Sequence, residues 1–445
     1  MADGNTDPLG FFSVLVKSLF LARRLRPVWR GGEKAGILLP PSVAGALVNH
    51  AALQLGHVPV NLNYTLSAEG IRSCIEQCGI TRVVTSAKFL EKLKLELPVE
   101  TVLLEEAAAK PRALEKLTAL LLALFCPAAW MARCLGGTAP KPGDLATVIF
   151  SSGSTGDPKG VLLTHACINA NIEQIHQVMS FREDDRLLGI LPFFHSFGFT
   201  GTLAAPAVLG LGVAFHYNPT DSKAVGELAQ KHSLTFLLAT PTFLQIYLRG
   251  CKPEQFGSLR FVMVGAEKLP ERLAAAFEEQ FGIRPQEAYG CTECAPAVAA
   301  NGPDFRAAGF RQVGCKNGSV GHSLPGMAVR IVDPETGEPR PPGESGLMLL
   351  KGPNIMQGYL GRPDKTAEVL RDGWYATGDM ARVDDDGFIF ITDRLSRFSK
   401  IGGEMVPHLQ SEKALTEILS HDADDEDVHV QAVVTAVPDE RKGER

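Results

Sequence analysis

The sequence predicts an α/β protein, with a large N-terminal domain of mixed or parallel sheets flanked by helices and a small β-rich subdomain after it. Short apolar runs alternate with helical patterns from residue 35 onward, which is typical of βαβ units. Glycine and proline become dense after about residue 314, where short alternating runs appear. We therefore expect a basic segment at 1–34, a main domain at 35–393 with its β-rich part at 314–393, and a further unit from 394 to 445.

Individual elements follow from local patterns. Ser42 and Ser67 are expected to begin helices, because a serine hydroxyl accepts a hydrogen bond from the first backbone N–H groups of a helix. Residues 107–143 are expected to form an insertion or a loose helical pair, and 164–178 a helix. Strands are predicted at 35–39, 58–61, 83–85, 147–150, 187–191, 213–215, 236–238, 261–264, 327–332, 346–351 and 388–392.

The composition argues against several classes of protein. A net charge of −6 disfavours nucleic acid as a partner, since nucleic-acid-binding proteins usually carry a basic excess. The nine cysteines are scattered and odd in number, which favours a reducing cytoplasmic compartment over a disulfide framework. Cys291 and Cys294 form one CxxC pair, but neither a second pair nor suitably spaced histidines follow, so a metal site there is disfavoured.

Two segments raise the question of membrane contact. Residues 11–30 combine apolar side chains with five basic residues, a composition that can lie on an anionic bilayer. Residues 117–132 are uncharged, but they fall short of the roughly 20 residues that span a bilayer, and Pro127 interrupts them. Packed helices explain both segments equally well. We expect a cytoplasmic protein, with peripheral contact at the inner membrane face as the alternative.

The strongest local signal is a loop of glycine and hydroxyl residues that follows the strand predicted at 147–150. Glycines let backbone N–H groups turn inward as an anion nest, and the hydroxyls and a lysine add donors and positive charge. This chemistry suits a polyphosphate, although the spacing is not that of a Walker A loop; the alternative is a surface linker. The candidate ligands are Ser151, Ser152, Gly153, Ser154, Thr155, Gly156 and Lys159.

Several later segments add candidate ligands in a fixed order. They are the aromatic run 192–198 around His195, the triplet Gly265-Ala266-Glu267, the run 289–293 (Tyr-Gly-Cys-Thr-Glu), the run 374–379 ending at Asp379, and the pair Asp393-Arg394. Together with the loop, these segments resemble the motifs of the adenylate-forming superfamily, which includes acyl-CoA synthetases, peptide-synthetase adenylation domains and luciferases. The resemblance covers nearly the whole chain and implies ATP and Mg²⁺ as cofactors.

The run 289–293 has a chemical interpretation of its own. Tyr289 can stack on adenine where Gly290 leaves the backbone room, Thr292 can donate to the α-phosphate, and Glu293 can bind Mg²⁺. The alternatives are core packing for Tyr289 and a solvated turn for Glu293. The resemblance implies that His195 is a gate near the substrate carboxylate and the phosphate; a structural histidine is the alternative. Lys159, His195, Thr292 and Glu293 are the expected catalytic residues.

The remaining motif residues are expected at the nucleoside. The resemblance places Gly265, Ala266 and Glu267 at the adenine edge. Asp379 can accept two ribose hydroxyls and Arg394 can donate to the same sugar, although both can instead be structural turn residues.

The pair Asp393-Arg394 opens a segment that resembles the hinge motif of the superfamily, and this segment indicates the branch. Residues 394–408 are most similar to acyl-acyl-carrier-protein synthetases, including the synthetase half of the bifunctional 2-acylglycerophosphoethanolamine acyltransferase. This resemblance implies that a fatty acid and ATP give acyl-AMP, and that acyl transfer to the thiol of acyl carrier protein follows in the intact protein. The alternatives are a CoA ligase for another acid and a catalytically idle adenylate-binding module.

The C-terminal part of the chain gives a further expectation. Relatives carry a longer C-terminal subdomain with a lysine near its end, so the unit 394–445 is expected to be a truncated α+β subdomain, either because the chain is a fragment or because the enzyme is reduced in size.

His216 and Asp221 fit the HxxxxD spacing of glycerolipid acyltransferases, but they fall within the adenylating core, and we disfavour them as a catalytic pair.

Overall fold

The computed structural model describes residues 1–4, 6–151, 158–395, 398–401, 404–407, 412, 415, 434–435, 438–439 and 443–444. The chain divides into two units. The first comprises Met1–Met327 and Gly352–Glu368, and the second comprises Ala328–Lys351 and Val369–Arg445.

The first unit begins with a four-stranded parallel sheet, three of whose strands were predicted from apolar runs; the fourth, Glu100–Leu103, was not predicted. Its strand order is Val58–Asn61, Lys34–Leu38, Arg82–Thr85 and Glu100–Leu103. Ser42 Oγ accepts from the backbone N–H of Gly45 at 3.0 Å, and Ser67 Oγ accepts from that of Gly70 at 3.2 Å, which confirms both predicted caps. The helices of this region are Phe11–Trp29, Val43–Gln54, Ala68–Cys78, Ala87–Leu93, Leu104–Ala107, Ala113–Phe125 and Ala128–Cys134.

A larger, eight-stranded sheet forms the centre of the first unit. Its order is Ala2–Asp3, Gly212–Phe215, Arg186–Gly189, Phe236–Ala239, Phe261–Val264, Gln286–Gly290, Ala297–Ala300 and His322–Ser323. The first six strands pair in parallel and the last two pair antiparallel, so the sheet is mixed, as expected. The elements around it are the helices His165–Met179, Ser196–Gly198, Ala205–Leu209, Ser222–His232, Pro241–Gly250 and Glu271–Phe281, the π-helical turn Phe199–Ala204, and the 3₁₀ turns Pro253–Phe256 and Thr292–Cys294.

A third sheet in this unit differs from the βαβ expectation. Leu145–Ser151 is followed by an antiparallel strand, Lys159–Thr164, which also pairs antiparallel with Gly358–Tyr359. The glycine-rich segment therefore connects two strands of a hairpin, and Lys159 and Gly160 belong to the second strand. Apolar runs predict that strands exist, but they do not predict the direction in which strands pair. A separate hairpin, Phe305–Ala307 with Phe310–Gln312, is exposed.

The second unit is rich in β-structure, as the alternating runs predicted. Its five-stranded antiparallel sheet comprises Ala328–Val332, Gly346–Lys351, Trp374–Val383, Leu370–Arg371 and Ile389–Arg394. Four short strands form another sheet in the order Glu404–Pro407, Phe398–Ile401, Gly443–Glu444 and Pro438–Asp439. The helix Pro363–Val369 lies where the chain passes from the first unit to the second.

The main core lies between the eight-stranded sheet and the helices that flank it. Phe256, Phe277 and Tyr247 are fully buried there, and the Tyr247 hydroxyl donates to the backbone carbonyl of Pro219 at 2.8 Å. This core supports the carboxyl ends of the parallel strands, which are the usual position of ligand loops in an α/β sheet.

Candidate active site

The strand Lys159–Thr164, the second strand of the hairpin, positions Lys159. Ser151 and Lys159 are paired across the hairpin, and the Lys159 ammonium lies 5.6 Å from the ring centroid of Tyr359. A β-carbon at Gly160 would lie 3.0–3.2 Å from Val148, Leu360 and Phe150, so the strand is tightly packed beneath the lysine. The predicted ligands Ser152, Gly153, Ser154, Thr155 and Gly156 lie outside the described residues.

The run 289–293 ends a central strand and begins a tight turn. A β-carbon at Gly290 would lie 2.3 Å from the carbonyl oxygen of Pro296, so glycine is required by the close approach of two backbone segments. Thr292 and Glu293 then fall in the single 3₁₀ turn Thr292–Cys294, with both side chains half-buried. Tyr289, on the strand before the turn, is also half-buried.

Three hydrogen bonds join this turn to other segments of the first unit. The Tyr359 hydroxyl donates to Glu293 Oε1 at 2.8 Å, and the backbone N–H of Met356 donates to the Glu293 carbonyl at 2.7 Å. The Ser196 hydroxyl donates to Thr292 Oγ1 at 3.4 Å. The Glu293 carboxylate, the Lys159 ammonium and the three hydroxyls of Tyr359, Thr292 and Ser196 are thus joined through a short chain of contacts.

The predicted gate residue His195 lies one residue before Ser196. The residue as a whole is exposed, while its ring packs beside the buried Phe194 at 4.5 Å, centroid to centroid. Desolvation by the surrounding protein lowers the pKa of His195, which favours the neutral imidazole at pH 7. The turn that carries it is fixed by Gly198, where a β-carbon would lie 2.1 Å from the carbonyl oxygen of Pro192.

The triplet 265–267 follows the strand Phe261–Val264 at the carboxyl end of the sheet. The backbone N–H of Gly265 donates to the carbonyl of Ala239 at 3.2 Å, and Ala266 adopts a φ of +69°, which side-chain-bearing residues rarely do. The Glu267 carboxylate accepts from the Thr242 hydroxyl at 2.8 Å. The surrounding structure must hold Ala266 in this sparsely populated conformation, so the loop has a defined shape at the predicted adenine edge.

In the second unit, Asp379 and Arg394 face each other across neighbouring strands. Arg394 Nε donates to Asp379 Oδ1 at 2.9 Å; the carboxylate is buried, whereas the arginine side chain is 69% exposed. Gly378 precedes the aspartate with a φ of +76°. The two predicted ribose ligands therefore form one ion pair, and their role toward a ribose stays a prediction.

Sequence reasoning missed Tyr359 and the part played by Ser196. Tyr359 lies 66 residues from Glu293 along the chain, and its position depends on the pairing of Gly358–Tyr359 with the hairpin. A single sequence carries no signal for such a distant pairing. Ser196 lies within the aromatic run already singled out, so its neighbour His195 was the available signal.

The structure also describes the two residue pairs that the sequence disfavoured as a metal site and as a catalytic pair. The Cys291 and Cys294 sulfurs lie 3.3 Å apart as thiols. His216 Nε2 and Asp221 Oδ2 lie 3.7 Å apart, and Asp221 Oδ1 accepts from the backbone N–H of Ala224 at the start of the helix Ser222–His232. Asp221 therefore has a structural role as a helix cap.

Comparison with known families matches residues 12–360 to the model of the AMP-binding enzymes. The chain belongs to the AMP-binding enzyme family. AMP-binding enzymes use ATP and Mg²⁺, which confirms the cofactors expected from the motifs. Among the described residues no group of three or more His, Cys, Asp or Glu side chains can hold a metal by itself. Glu293 is suited to Mg²⁺ as a single protein carboxylate, because Mg²⁺ is usually bound by one or two carboxylates together with substrate phosphates.

Several curated AMP-binding enzymes are similar in sequence. Feruloyl-CoA synthase from Amycolatopsis is 34% identical over 303 residues, which cover 68% of this chain and 58% of that protein. Long-chain-fatty-acid–CoA ligase from Bacillus subtilis is 34% identical over 307 residues, 68% of this chain and 51% of that protein. 4-Coumarate–CoA ligase-like 1 from Arabidopsis thaliana is 31% identical over 434 residues, 93% of this chain and 74% of that protein. The chain thus spans little more than half the length of the first two relatives.

Solved structures confirm the predicted fold. o-Succinylbenzoate CoA synthetase from Bacillus subtilis, in complex with an acyl-adenylate intermediate, has a TM-score of 0.78 at 25% identity, covering 100% of this chain and 84% of that one. The same enzyme in complex with ATP and magnesium ion gives a TM-score of 0.78 at 25% identity, covering 99% and 85%.

Proposed function

We propose that the protein activates a carboxylic acid, a fatty acid in particular, by joining it to AMP and then transfers the acyl group to a thiol. The observation that carries the proposal is the cluster in the first unit that joins Lys159, Tyr359, Glu293, Thr292 and Ser196. It combines positive charge, hydroxyl donors and one oriented carboxylate, which is the set of groups that a metal-bound polyphosphate requires.

The first step needs alignment more than proton transfer. The acid is ionised at pH 7 and is itself the nucleophile. One carboxylate oxygen bonds to the α-phosphorus of ATP, the bond from that phosphorus to the bridging oxygen breaks, and pyrophosphate leaves. Lys159 and the hydroxyls of Thr292 and Ser196 stabilise the negative charge on the phosphate oxygens, and the cluster holds them in place before the reaction begins.

Glu293 is the residue that would hold Mg²⁺. When bound, the metal shields phosphate charge and polarises the phosphoryl group. The 2.8 Å hydrogen bond from Tyr359 fixes one carboxylate oxygen and leaves the other available. Such a partner orients a metal ligand in the same way as other groups that hydrogen-bond to ligating side chains.

His195 is suited to a gate and not to a general base. Because the residue is exposed, its ring beside Phe194 can move without disturbing the core, and no proton needs to be removed from an ionised acid. The lowered pKa of His195 favours a neutral ring, which does not attract the substrate carboxylate away from the phosphate.

In the second step the thiol sulfur attacks the acyl carbon, the bond between that carbon and the AMP oxygen breaks, AMP leaves with the electron pair of that bond, and the thiol proton passes to solvent. Two acceptors remain as proposals. The hinge resemblance favours acyl carrier protein, but residues 396–397, 402–403 and 408 of that run lie outside the described residues. The names of the curated relatives, all CoA ligases or synthases, favour CoA.

A pyrophosphate-exchange assay with a panel of acids tests the proposal. We expect exchange of labelled pyrophosphate into ATP that depends on a fatty acid, and weaker exchange with ferulate or 4-coumarate. Acyl transfer is then compared with CoA and with phosphopantetheine-bearing carrier protein as acceptors. If no acid stimulates exchange although ATP binds, the protein is the idle adenylate-binding module and the proposal is wrong.

A further inference from the structure

Two segments of the first unit expose large apolar side chains that the proposed reaction does not use. Of the fifteen exposed large hydrophobic side chains in the described part of the chain, nine lie in the helix Phe11–Trp29 and in the region 113–134. Phe11 and Phe12 begin the first helix. The exposed side chains of the second region include Leu114, Leu117, Leu121, Leu124, Phe125 and Trp130.

The helix Ala113–Phe125 is apolar around most of its circumference but is hardly buried. Ala119 is its one buried residue, while Phe125 is 75% exposed. An apolar helix normally lies in a protein core or in a membrane. Contiguous apolar surface of this kind marks a site of contact with a protein or a membrane.

The two segments are held together as one surface. The helix Ala113–Phe125 packs on the helix Phe11–Trp29, and Arg24 Nη2 pairs with Glu115 Oε2 at 2.6 Å. Between the helices lies a groove of about 590 Å³ with almost wholly apolar lining. Phe20 and Leu120 line it, together with Lys17 and Lys116, one from each helix; because the lining is almost wholly apolar, the two lysines contribute mainly their aliphatic chains to it.

The charge on this surface is opposite in sign to that of the whole chain. Residues 11–30 and 110–134 carry nine cationic side chains and one carboxylate, Glu115, although the chain has a net charge of −6. Arg24 pairs with that carboxylate, and the other eight cations are exposed. A second copy of this chain would bring like charges together, which disfavours self-association through the same face.

We propose that this surface docks on an anionic lipid bilayer, lying in its plane. No helix among the described residues is long and apolar enough to cross a membrane. Exposed leucine, phenylalanine and tryptophan side chains would enter the headgroup and acyl boundary, where Trp is favoured, and the surrounding cations would contact lipid phosphates. The groove between the helices would admit an acyl chain, with Lys17 and Lys116 at the level of the phosphates.

This docking does not depend on the proposed reaction. Docking is measured by sedimentation of the purified chain with two kinds of vesicle, one of phosphatidylcholine alone and one that also contains about 30% phosphatidylglycerol. The anionic lipid gives the second kind a negative surface potential. We expect binding to the anionic vesicles, loss of binding in high salt, and little binding to neutral vesicles. Each cation near the surface contributes about fivefold to partitioning, so Lys17→Gln with Lys116→Gln should weaken it about 25-fold. Lys223→Gln with Lys231→Gln, two exposed lysines on another helix, is the matched control.

Apolar insertion has its own pair of variants. Leu121→Ser with Phe125→Ser should abolish vesicle binding without unfolding the protein, because both side chains are exposed. Phe305→Ser with Phe310→Ser changes two side chains that are 57% and 56% exposed on a separate hairpin, and this variant should bind as the wild type does. The emission of Trp130, which is 61% exposed, should shift to shorter wavelength on binding, and Trp130→Phe should remove that shift.

Three outcomes would overturn the proposal. The proposal is wrong if the chain does not sediment with anionic vesicles. It is also wrong if the Phe305 and Phe310 control loses as much vesicle binding as the variant at Leu121 and Phe125. A dimer or a complex with acidic acyl carrier protein that forms through Leu121 and Phe125, without vesicle binding, would assign the surface to a protein partner instead.

Discussion

Replacing Tyr359 by phenylalanine tests the contact that sequence reasoning missed. The Tyr359 hydroxyl donates to Glu293 Oε1 at 2.8 Å, and its ring lies 5.6 Å from the Lys159 ammonium. Phenylalanine removes the hydroxyl and keeps the ring, so the variant separates the hydrogen bond from the cation–π contact. Tyr217→Phe, at an exposed tyrosine elsewhere in the first unit, is the matched control.

The expected magnitude follows from the type of bond that is lost. A hydrogen bond to a charged acceptor contributes about 1.5–3 kcal/mol, and about 1.4 kcal/mol is tenfold in rate. Because Glu293 is half-buried, water can replace part of the bond, so we expect the lower end of this range. Tyr359→Phe should lower kcat/KM for MgATP about tenfold and should raise the Mg²⁺ concentration that gives half-maximal activity.

The assay is acid-dependent pyrophosphate exchange, measured against Mg²⁺ concentration at fixed ATP. Glu293→Gln should raise the Mg²⁺ requirement further, and adding Tyr359→Phe to it should have little more effect, because both changes disturb one ligand. The reasoning is refuted if Tyr359→Phe leaves the Mg²⁺ dependence unchanged, or if the two substitutions are fully additive.

Four further predictions concern single positions. Lys159→Ala should weaken MgATP binding or adenylation by about 1.5–3 kcal/mol, as measured by calorimetry and exchange. Asp379→Ala should raise the KM for ATP more than that for the acid. Gly290→Ala should destabilise the fold by about 1–3 kcal/mol in urea denaturation, because its β-carbon would lie 2.3 Å from the backbone oxygen of Pro296. Burial lowers the pKa of His50 to about 4, from the 6.5 of an exposed ring, so between pH 6.5 and 4 the unfolded chain binds a proton that the folded chain does not. The free energy of unfolding should therefore drop by up to about 3 kcal/mol as pH falls through this window, and His50→Gln should remove this part of the drop.

Each of these predictions has a contradicting result. Unchanged ATP binding and adenylation in Lys159→Ala would remove the lysine from the phosphate site, and a change in the acid KM alone would remove Asp379 from the ribose site. A Gly290→Ala protein as stable as the wild type would mean that the turn can relax. A His50→Gln protein with the same pH dependence of unfolding would place the titration elsewhere.

Much of the fold could be predicted because its signals are local. Ser42 and Ser67 begin helices through bonds to residues three positions ahead, and short apolar runs identify the buried parallel strands. The hairpin at Lys159 could not be predicted in this way, because an apolar run does not record whether the next strand returns beside it or follows a helix.

The candidate site shows the same division. Motif spacing predicted Thr292 and Glu293 as site residues, and the structure places both in one turn of the chain. The Tyr359 contact depends on a strand pair that brings together segments about 200 residues apart in sequence, 358–359 and 161–162. The first unit is also discontinuous in sequence, because Gly352–Glu368 belongs with Met1–Met327. This arrangement results from tertiary pairing as well, which local patterns do not record.

The most direct test of the proposed reaction follows one oxygen atom. A fatty acid labelled with ¹⁸O in its carboxylate is incubated with the protein, MgATP and a thiol acceptor, and the AMP product is analysed by mass spectrometry. If the carboxylate attacks the α-phosphate and the thiol then breaks the bond at the acyl carbon, each AMP carries one ¹⁸O from the acid. AMP without ¹⁸O, or ADP as the product, would contradict an acyl-adenylate and with it the role proposed for the cluster around Lys159 and Glu293.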